Sequence, residues 1–385
     1  MQLLQQPCCA VARFSQTGHS RHALCFRGQH TTRKGGKIAC NRSTGSRSVK
    51  QGRPIGECQF FIRCTLEGKR MTKFRIASGI VSAVVAAMIS TTPVLAQDLK
   101  IVTSMPSLGF PFFVHMQNSL NSEAEVLGGI MMINQDGQNS APKQTAELEA
   151  AIINQVSGVV ISPLDSVALA PGVKQVIDAG IPVMTIDRRV DGVEGVLGHV
   201  GADNVIGGEA QANLIIKLFP NGATIVNLQG QPGASPAIDR NKGVHNILDS
   251  MADKYVFVAE QTANFAREEG ATVTEAILAG LDASPDVIVA ANDDMALGAL
   301  QVTQEQGLDI AILGFDALPE ALASVRDGGL TATIEQSPGG QSRLALQALV
   351  NFLRNGTVPE SLVLLEPFAI TKDNIDQAER LSELN

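Results

Sequence analysis

Several polar residues follow short apolar runs, at the positions where buried strands would end. They are Ser162, Asp187, Arg188, Asn292, Asp316 and Gln336, and Arg240 follows the glycine-rich loop over 230–233. In open α/β sheets, ligands bind beyond the carboxyl ends of the strands. Carboxylates accept hydroxyl protons, a guanidinium group offers a rigid fork of donors, and amides do both. These residue types at these positions are typical of a site for a polyhydroxylated ligand.

Aromatic residues accompany these polar groups. Phe110, Phe112 and Phe113 open the first helix-like segment of the chain, although aromatics are only 4% of all residues. Aromatic faces pack on the C–H surfaces of a sugar while polar groups bind its edges. Two adjacent phenylalanines at a presumed cleft therefore favour ligand stacking, although one of them could instead be a core residue.

Each polar candidate also has a structural alternative. Asp187 could simply pair with an adjacent arginine, and Asp187 and Arg188 can both reach one ligand only if the strand has ended there. Asn292 could be a turn residue, with Asp293 as the N-cap of the following helix. Ser162 precedes a proline, which favours a structural role for it.

Catalytic and metal chemistry receive less support from the residues. Asp187 and Asp316 could act as the paired carboxylates of a glycoside-acting enzyme. However, the sequence has no nucleophile elbow, P-loop or complete GxGxxG motif. His115, His199 and His245 lack metal-ligand spacing. We therefore predict a binding protein rather than an enzyme, with no metal and no cofactor.

Strand-length apolar runs alternate with longer amphipathic segments from Leu99 onward. The runs span 99–103, 130–133, 158–161, 182–186, 223–228, 255–259, 287–290 and 310–313. Helix-like segments lie between them, for example over 142–154, 166–179, 205–218 and 295–306. This alternation predicts an α/β protein with parallel sheets wrapped by helices. The strands are too many for one comfortable sheet, so we expect two Rossmann-like lobes.

The lobe boundaries follow from where the chain would cross between the sheets. We expect an N-terminal lobe over 97–202 and 337–364, and a C-terminal lobe over 203–336 and 365–385. The chain would then cross several times and form a hinge between the lobes.

The first 96 residues have a different character from the rest. Lys73 and Arg75 precede an uncharged apolar stretch over 76–89, and Val94-Leu95-Ala96 has small residues at the cleavage-determining positions. This pattern predicts a Sec signal peptide over 71–96, cleaved after Ala96. The stretch is too short for a membrane anchor of about 20 residues. Residues 1–70, which contain all six cysteines, are interpreted as a non-native or disordered extension, with a transit peptide as the alternative.

The charge of the remaining chain excludes some partners. From Gln97 onward there are 15 basic and 36 acidic residues, a net formal charge of −21. Such a body repels nucleic acid and anionic lipid surfaces. No nucleic-acid partner is therefore expected.

Several stretches resemble the ribose-binding family of periplasmic proteins, and more closely its myo-inositol-binding branch. They include Phe-Pro-Phe-Phe (110–113), Thr-Ile-Asp-Arg (185–188), Val-Gly-Ala-Asp-Asn-Val (200–205) and Gly-Phe-Asp-Ala-Leu-Pro (314–319). The resemblance covers essentially all of 99–385. It implies that Phe112 and Phe113 stack on the ligand, and that Phe265 matches an aromatic of the ribose-binding pattern. Hydrogen-bonding roles are implied for Asp187, Arg188, Arg240, Asn292, Asp316 and Gln336.

Two positions depart from the ribose-binding pattern. Phe110 and Ser162 stand where ribose binders carry asparagine, so a cyclitol, a linear polyol or another monosaccharide fits at least as well as ribose. The resemblance implies a monomeric periplasmic component of an ABC importer, whose partners are a permease and its ATPase, with a chemoreceptor as a further candidate partner. A sugar-responsive transcriptional regulator of the same fold is the alternative.

Overall fold

A computed structural model describes residues 98–384 of the chain. The predicted signal peptide over 71–96 and the extension over 1–70 lie outside these residues. The strands are β1 (Leu99–Met105), β2 (Ile130–Asp136), β3 (Gly158–Ile161), β4 (Val183–Ile186), β5 (Gly198–Ala202), β6 (Ala223–Gln229), β7 (Tyr255–Thr262), β8 (Val287–Ala290), β9 (Ala311–Leu313), β10 (Thr333–Glu335), β11 (Leu362–Leu365) and β12 (Phe368–Ile370). The helices are α1 (Pro111–Leu127), α2 (Ala141–Ile153), α3 (Ala170–Asp178), α4 (Asn204–Leu218), α5 (Ser235–Leu248), α6 (Arg267–Gly280), α7 (Asp293–Glu305), α8 (Pro319–Asp327) and α9 (Pro338–Asn355).

Proline and capping residues determine where many helices begin. A proline occupies the first turn of α1, α2, α3, α5, α8 and α9, where its missing N–H removes no helical hydrogen bond. Helix α4 begins after Asp203, whose side chain accepts a hydrogen bond from the backbone N–H of Ile206. Within residues 98–384, no helix is both long and apolar enough to cross a bilayer.

Ten of the twelve described strands form two separate parallel sheets, as the alternation of apolar runs and helices predicted, and β10 and β12 form a two-stranded sheet of their own. The N-lobe sheet has the order β2-β1-β3-β4-β5-β11, and the C-lobe sheet has the order β7-β6-β8-β9. Every pairing within these two sheets is parallel. The order reverses beside the first strand of each sheet, which is where ligands bind in doubly wound folds.

The chain passes between the two sheets three times among the described residues. It leaves the N-lobe sheet after β5 and returns to it through the segment between β10 and α9. It leaves again between β11 and β12. Strand β10 runs toward the crossings and ends there, whereas β12 begins there and runs away from them. The two strands therefore pair antiparallel.

Apolar side chains fill both faces of both sheets. One cluster lies between the N-lobe sheet and helices α2 and α3, with Leu148, Val159 and Val173 fully buried. Another lies between the C-lobe sheet and helices α4 and α5, with Ile215, Ile225 and Val287 fully buried. Burial on both faces explains why these strands are short continuous apolar runs.

Two glycines allow helices α4 and α5 to pack closely. A Cβ atom at Gly208 would lie 2.1 Å from the carbonyl oxygen of Arg240, and one at Gly243 would lie 2.1 Å from that of Val205. Real Cβ atoms do not approach backbone atoms this closely. The packing therefore fixes the position of Arg240 on α5 relative to α4.

Replacing Gly208 by alanine is expected to lower the free energy of unfolding by about 1–3 kcal/mol, because the added methyl group forces the two helices apart. Urea unfolding of both proteins measures this difference. Gly280→Ala is the matched control, since a Cβ atom at Gly280 meets no heavy atom within 4 Å. Equal effects of the two substitutions would contradict the packing argument.

Candidate functional site

A cavity lies between the two lobes, at the carboxyl ends of both sheets. It contains about 360 Å³ of space not occupied by atoms, including its opening. Its lining residues are Phe110, Phe112, Phe113, Asp187, Arg188, Pro236, Arg240, Phe265, Asn292, Asp294, Asp316 and Gln336. Sequence reasoning named all of these as site residues except Pro236 and Asp294. Ser162 is the predicted residue that does not belong to the lining.

The backbone at Asp187 explains how two successive side chains reach the same cavity. Strand β4 ends at Ile186, and Asp187 adopts a left-handed conformation with φ of 59°. The backbone N–H of Arg188 donates to the carbonyl oxygen of Ile186 at 2.6 Å, which closes a γ-turn around Asp187. In a continuing strand the two side chains would point to opposite faces. The sharp turn instead brings both to the cavity.

Ser162 supports Asp187 from behind. Its hydroxyl donates to Oδ2 of Asp187 at 3.1 Å, and both residues are buried. The serine therefore contacts a cavity residue instead of lining the cavity itself, in line with the structural role that its proline neighbour favoured.

Arg188 is held between the lobes. Its Nη1 atom donates to the carbonyl oxygen of Leu164 and to Oε1 of Gln231, both at 3.1 Å. Its Cζ atom lies 5.2 Å from the ring centroid of Phe113 and 5.5 Å from that of Phe265. A guanidinium group that lies above the face of an aromatic ring is attracted to that ring by cation–π interaction. The guanidinium plane is thus fixed by groups from both lobes.

Arg240 is the second buried guanidinium. Its Nη1 atom donates to the carbonyl oxygen of Ala291 at 2.6 Å and to Oδ1 of Asp316 at 3.4 Å. Its Cζ atom lies 3.6 Å from the ring centroid of Phe315. The residue is only 3% exposed, so its orientation is set by contacts with protein groups.

Asp316 completes the charged part of the cavity from the C-lobe. It follows β9 with φ of 113°, a backbone region that residues other than glycine rarely adopt. Its Oδ1 atom accepts a hydrogen bond from Nε2 of Gln336 at 2.5 Å. Strained backbone of this kind persists only where the surrounding structure enforces it. Both carboxylates that sequence reasoning emphasised, Asp187 and Asp316, stand at such positions.

Burial perturbs the titration of the charged groups. It raises the pKa of Asp187, against the opposing effects of Arg188 and Arg240. It raises the pKa of Asp316 to about 7, although Arg240 acts in the opposite direction. Burial also lowers the pKa of Arg188 to about 10. Burial lowers the pKa of Arg240 as well. Arg188 therefore stays charged at neutral pH, while Asp316 can take up a proton there.

The aromatic wall is assembled from both lobes. Phe112 and Phe113 meet edge to face, with ring centroids 5.2 Å apart, and Phe110 meets Phe113 at 6.5 Å. Phe265 enters from the C-lobe with φ of 62° and packs on Gly230, where a Cβ atom would lie 2.2 Å from the ring. Phe112, Phe113 and Phe265 are buried, so they serve the core and the cavity wall together.

Asn292 both caps a helix and lines the cavity. Its Oδ1 atom accepts a hydrogen bond from the backbone N–H of Met295, which makes it the N-cap of α7. Its Nδ2 atom donates to the carbonyl oxygen of Phe265 at 3.1 Å, and the residue also lines the cavity. The structural alternative, with Asp293 as the cap of this helix, is wrong, because Asp293 is its first residue. The carboxylate of Asp293 instead accepts hydrogen bonds from Leu318 and Thr333.

Contacts across the cavity hold the lobes together. Nε2 of Gln231 in the C-lobe donates to Oδ1 of Asn139 in the N-lobe at 3.0 Å. The guanidinium of Arg189 pairs with Asp239 on α5, and the backbone N–H of Arg189 donates to Oγ of Ser235 at 3.0 Å. The structure therefore represents a closed arrangement of the lobes.

Sequence reasoning missed Pro236, Gln231 and the cavity position of Asp294. Asp294 lies in the first turn of α7, two residues after Asn292, so a helix beginning at the strand end would have indicated it. Gln231 lies in the glycine-rich loop after β6, and Pro236 lies in the first turn of α5. Both stand several residues beyond the apolar run over 223–228, so reading the residue directly after the run did not reach them. Among residues 98–384 there is no group of three or more histidine, cysteine or acidic side chains that could hold a metal ion.

The chain is similar to several characterised proteins. The model of the periplasmic binding protein domain matches residues 101–357. The ribose import binding protein of Bacillus subtilis is 38% identical over 268 residues, which cover 69% of this chain and 85% of that protein. The Caulobacter myo-inositol binding protein, in its crystal structure bound to myo-inositol, is 40% identical in sequence to this chain. The match has a TM-score of 0.72 and covers 75% of this chain and 98% of the Caulobacter chain.

A second solved structure agrees with this similarity. An ABC transporter solute binding protein from Bacillus halodurans, with bound myo-inositol, is 30% identical with a TM-score of 0.69, over 73% of this chain and 96% of that chain. The two-lobed α/β fold and the sequence similarity extend over the same part of the molecule. The chain therefore belongs to the periplasmic binding protein domain family, a family of substrate-binding proteins.

Proposed function

We propose that this protein binds a neutral monosaccharide or polyol in the cavity between its lobes and delivers it to an ABC importer. One observation carries the proposal: carboxylates and guanidinium groups from both lobes line a single cavity whose other wall is aromatic. Such a lining binds hydroxyl groups along the ligand edge and C–H groups on its faces. The names of the related proteins, which bind ribose or myo-inositol, support the same ligand class.

The charges of the cavity favour a neutral ligand over an anionic one. Arg188 and Arg240 lie beside Asp187 and Asp316, at 3.8 Å and 3.4 Å between the paired atoms. A third carboxylate, Asp294, also lines the cavity. An acidic sugar or a sugar phosphate would add negative charge beside these acids, which costs free energy in a buried site.

The proposed mechanism is hinge closure on the ligand. In an open form the N-lobe residue Asp187 and the C-lobe residue Asp316 would be separated. A ligand that hydrogen-bonds to both lobes stabilises the closed form by its differential affinity for that form. The permease, with its ATPase, would then recognise the paired lobe surfaces; a chemoreceptor is a further candidate partner.

The cellular context follows from the family and from the sequence. Relatives are periplasmic binding proteins, and we propose export of this chain by the Sec pathway with cleavage after Ala96. We further propose a monomer whose lobes comprise 97–202 with 337–364, and 203–336 with 365–385. The comparisons favour this solute-binding role over the transcriptional regulator that the sequence left open. We propose binding without catalysis, so that a bound ligand is recovered unaltered.

A thermal-shift panel tests the proposed ligand class. We expect at least one of myo-inositol, ribose and xylitol to raise the melting temperature by several degrees, since a ligand at 100 times its Kd stabilises the native state by about 2.7 kcal/mol. Glucuronate serves as an anionic control and is expected to give no shift. If the three neutral compounds leave the melting temperature unchanged while glucuronate raises it, the proposed ligand class is wrong.

A further inference from the structure

Asn204 joins a lobe crossing to one of the cavity arginines. It is the first residue of α4, directly after the crossing from β5, and the residue is only 6% exposed. Its Nδ2 atom donates to the carbonyl oxygen of Ala202, the last residue of the N-lobe strand β5, at 3.1 Å. Its Oδ1 atom accepts a hydrogen bond from Nε of Arg240 at 2.8 Å.

The chemistry of these partners fixes the orientation of the amide. The Nε atom of an arginine can only donate, and a backbone carbonyl oxygen can only accept. Rotating the Asn204 amide by half a turn would therefore break both hydrogen bonds. One side chain thus holds a fixed geometry between the end of an N-lobe strand and a C-lobe guanidinium.

From this arrangement we infer that Asn204 is a positioning residue that couples the lobe crossing to the orientation of Arg240. This inference rests on the proposed function, since Arg240 lines the proposed ligand cavity. When the lobes rotate about the crossing, the carbonyl oxygen of Ala202 moves relative to α4, and the amide can no longer bond both partners. Arg240 therefore has its cavity orientation in the closed arrangement and loses one restraint as the lobes open.

Arg240 depends on the hydrogen bond to Asn204 because its other contacts involve only Nη1 and one face of the guanidinium group. Its Nη1 atom already bonds Ala291 and Asp316, and one face of its guanidinium lies on the ring of Phe315. The Nε bond to Asn204 fixes rotation within the plane of the guanidinium group. Without it, a buried donor is left unpaired, which is costly in a closed cavity.

The inference is tested with two measurements on the full chain. The first is hydrogen exchange of the Arg240 Nε–H group by NMR, with its resonance assigned by its loss in Arg240→Lys. The second is the affinity for the tightest binder among myo-inositol, ribose and xylitol. We expect Asn204→Ala to accelerate the exchange at least tenfold and to weaken binding ten- to hundredfold.

Asn246→Ala is the matched control. Asn246 on α5 also bonds a residue of α4, since its Nδ2 atom donates to Oε1 of Glu209 at 2.9 Å, but it is exposed and does not line the cavity. We expect this variant to change neither the exchange nor the affinity by more than twofold. Asn204→Asp retains an acceptor for Arg240 but loses the donor to Ala202, and its second carboxylate oxygen would face that carbonyl oxygen. We therefore expect the Nε–H group to stay protected while binding weakens at least fivefold, because the link to the lobe crossing is lost.

The outcomes separate this inference from the proposed function. Wild-type exchange and wild-type affinity in Asn204→Ala would overturn the positioning role. If no compound binds the wild type, the proposed function fails, while the exchange measurement still tests the link between Asn204 and Arg240. Should Asn204→Ala not fold, Asn204→Ser replaces it. Serine suits the first turn of a helix, but its side chain has two heavy atoms fewer than that of asparagine and cannot bond Ala202 and Arg240 together.

Discussion

Replacing Asp187 by asparagine is expected to weaken binding of the cognate polyol about a hundredfold while leaving the fold intact. The amide matches the carboxylate in size, and asparagine tolerates the left-handed backbone that this position requires. It loses the negative charge, so hydroxyl groups of the ligand lose a charged acceptor and Arg188 loses its nearest counter-charge. Removing the charge of one partner in a buried, hydrogen-bonded charge pair costs about 2–5 kcal/mol of binding free energy. Isothermal titration calorimetry measures the effect.

The control for this prediction is Asp178→Asn. Asp178 ends α3, forms an exposed ion pair with Lys174 and does not line the cavity. It should bind like the wild type. Wild-type affinity in Asp187→Asn, with both variants folded by circular dichroism, would contradict the role proposed for this carboxylate.

Binding is expected to weaken at acidic pH because Asp316 takes up a proton. Burial raises its pKa to about 7, so the carboxylate that accepts ligand hydroxyl protons is ionised only above that pH. Below pH 7, Kd should rise about tenfold for each pH unit, since one unit corresponds to about 1.36 kcal/mol. Asp316→Asn should bind more weakly at pH 8 and should lose this pH dependence. A flat wild-type profile between pH 8 and pH 5.5 would contradict the assignment.

The raised pKa of Asp316 also makes the stability of the ligand-free protein depend on pH. The pKa of Asp316 is about 7 in the native state and 3.8 as its ordinary value. Between pH 3.8 and pH 7 the native state keeps a proton on Asp316 that the unfolded chain releases. The contribution of Asp316 to the free energy of unfolding is therefore present at low pH and is lost as pH rises through 7. Burial also raises the pKa of Asp293 and Asp294, which persist in the variant. The difference in urea stability between the wild type and Asp316→Asn is therefore the informative quantity.

The two-lobed fold and most of the cavity lining could be predicted because the strands are buried on both faces. Runs such as 158–161 and 287–290 are continuous apolar segments bounded by polar residues, so their ends mark the edge of the sheet. Reading the residue after each run identified Asp187, Asn292 and Asp316. The helix predicted over 166–179 is shorter in the structure, where α3 begins at Ala170. Residues 165–169 instead form turns fastened by the side chain of Asp165.

The remaining features depend on three-dimensional contacts that no local pattern encodes. The γ-turn at Asp187 arises from pairing with β5 as well as from its own sequence, since its N–H donates to Val200. Gln231 reaches Arg188 and Asn139 only because the lobes meet. Asn204 appears in sequence as an ordinary residue after a helix cap. Its link to Arg240 becomes visible only when α4 and α5 are packed.

A crystal structure of the full chain, grown with the tightest binder from the panel, tests the central claim most directly. We predict one ligand between the lobes, with its oxygen atoms within hydrogen-bond distance of the carboxylates of Asp187 and Asp316 and a ring or carbon face against the phenylalanine wall. A ligand that contacts one lobe only, or that binds at another surface, would contradict the account.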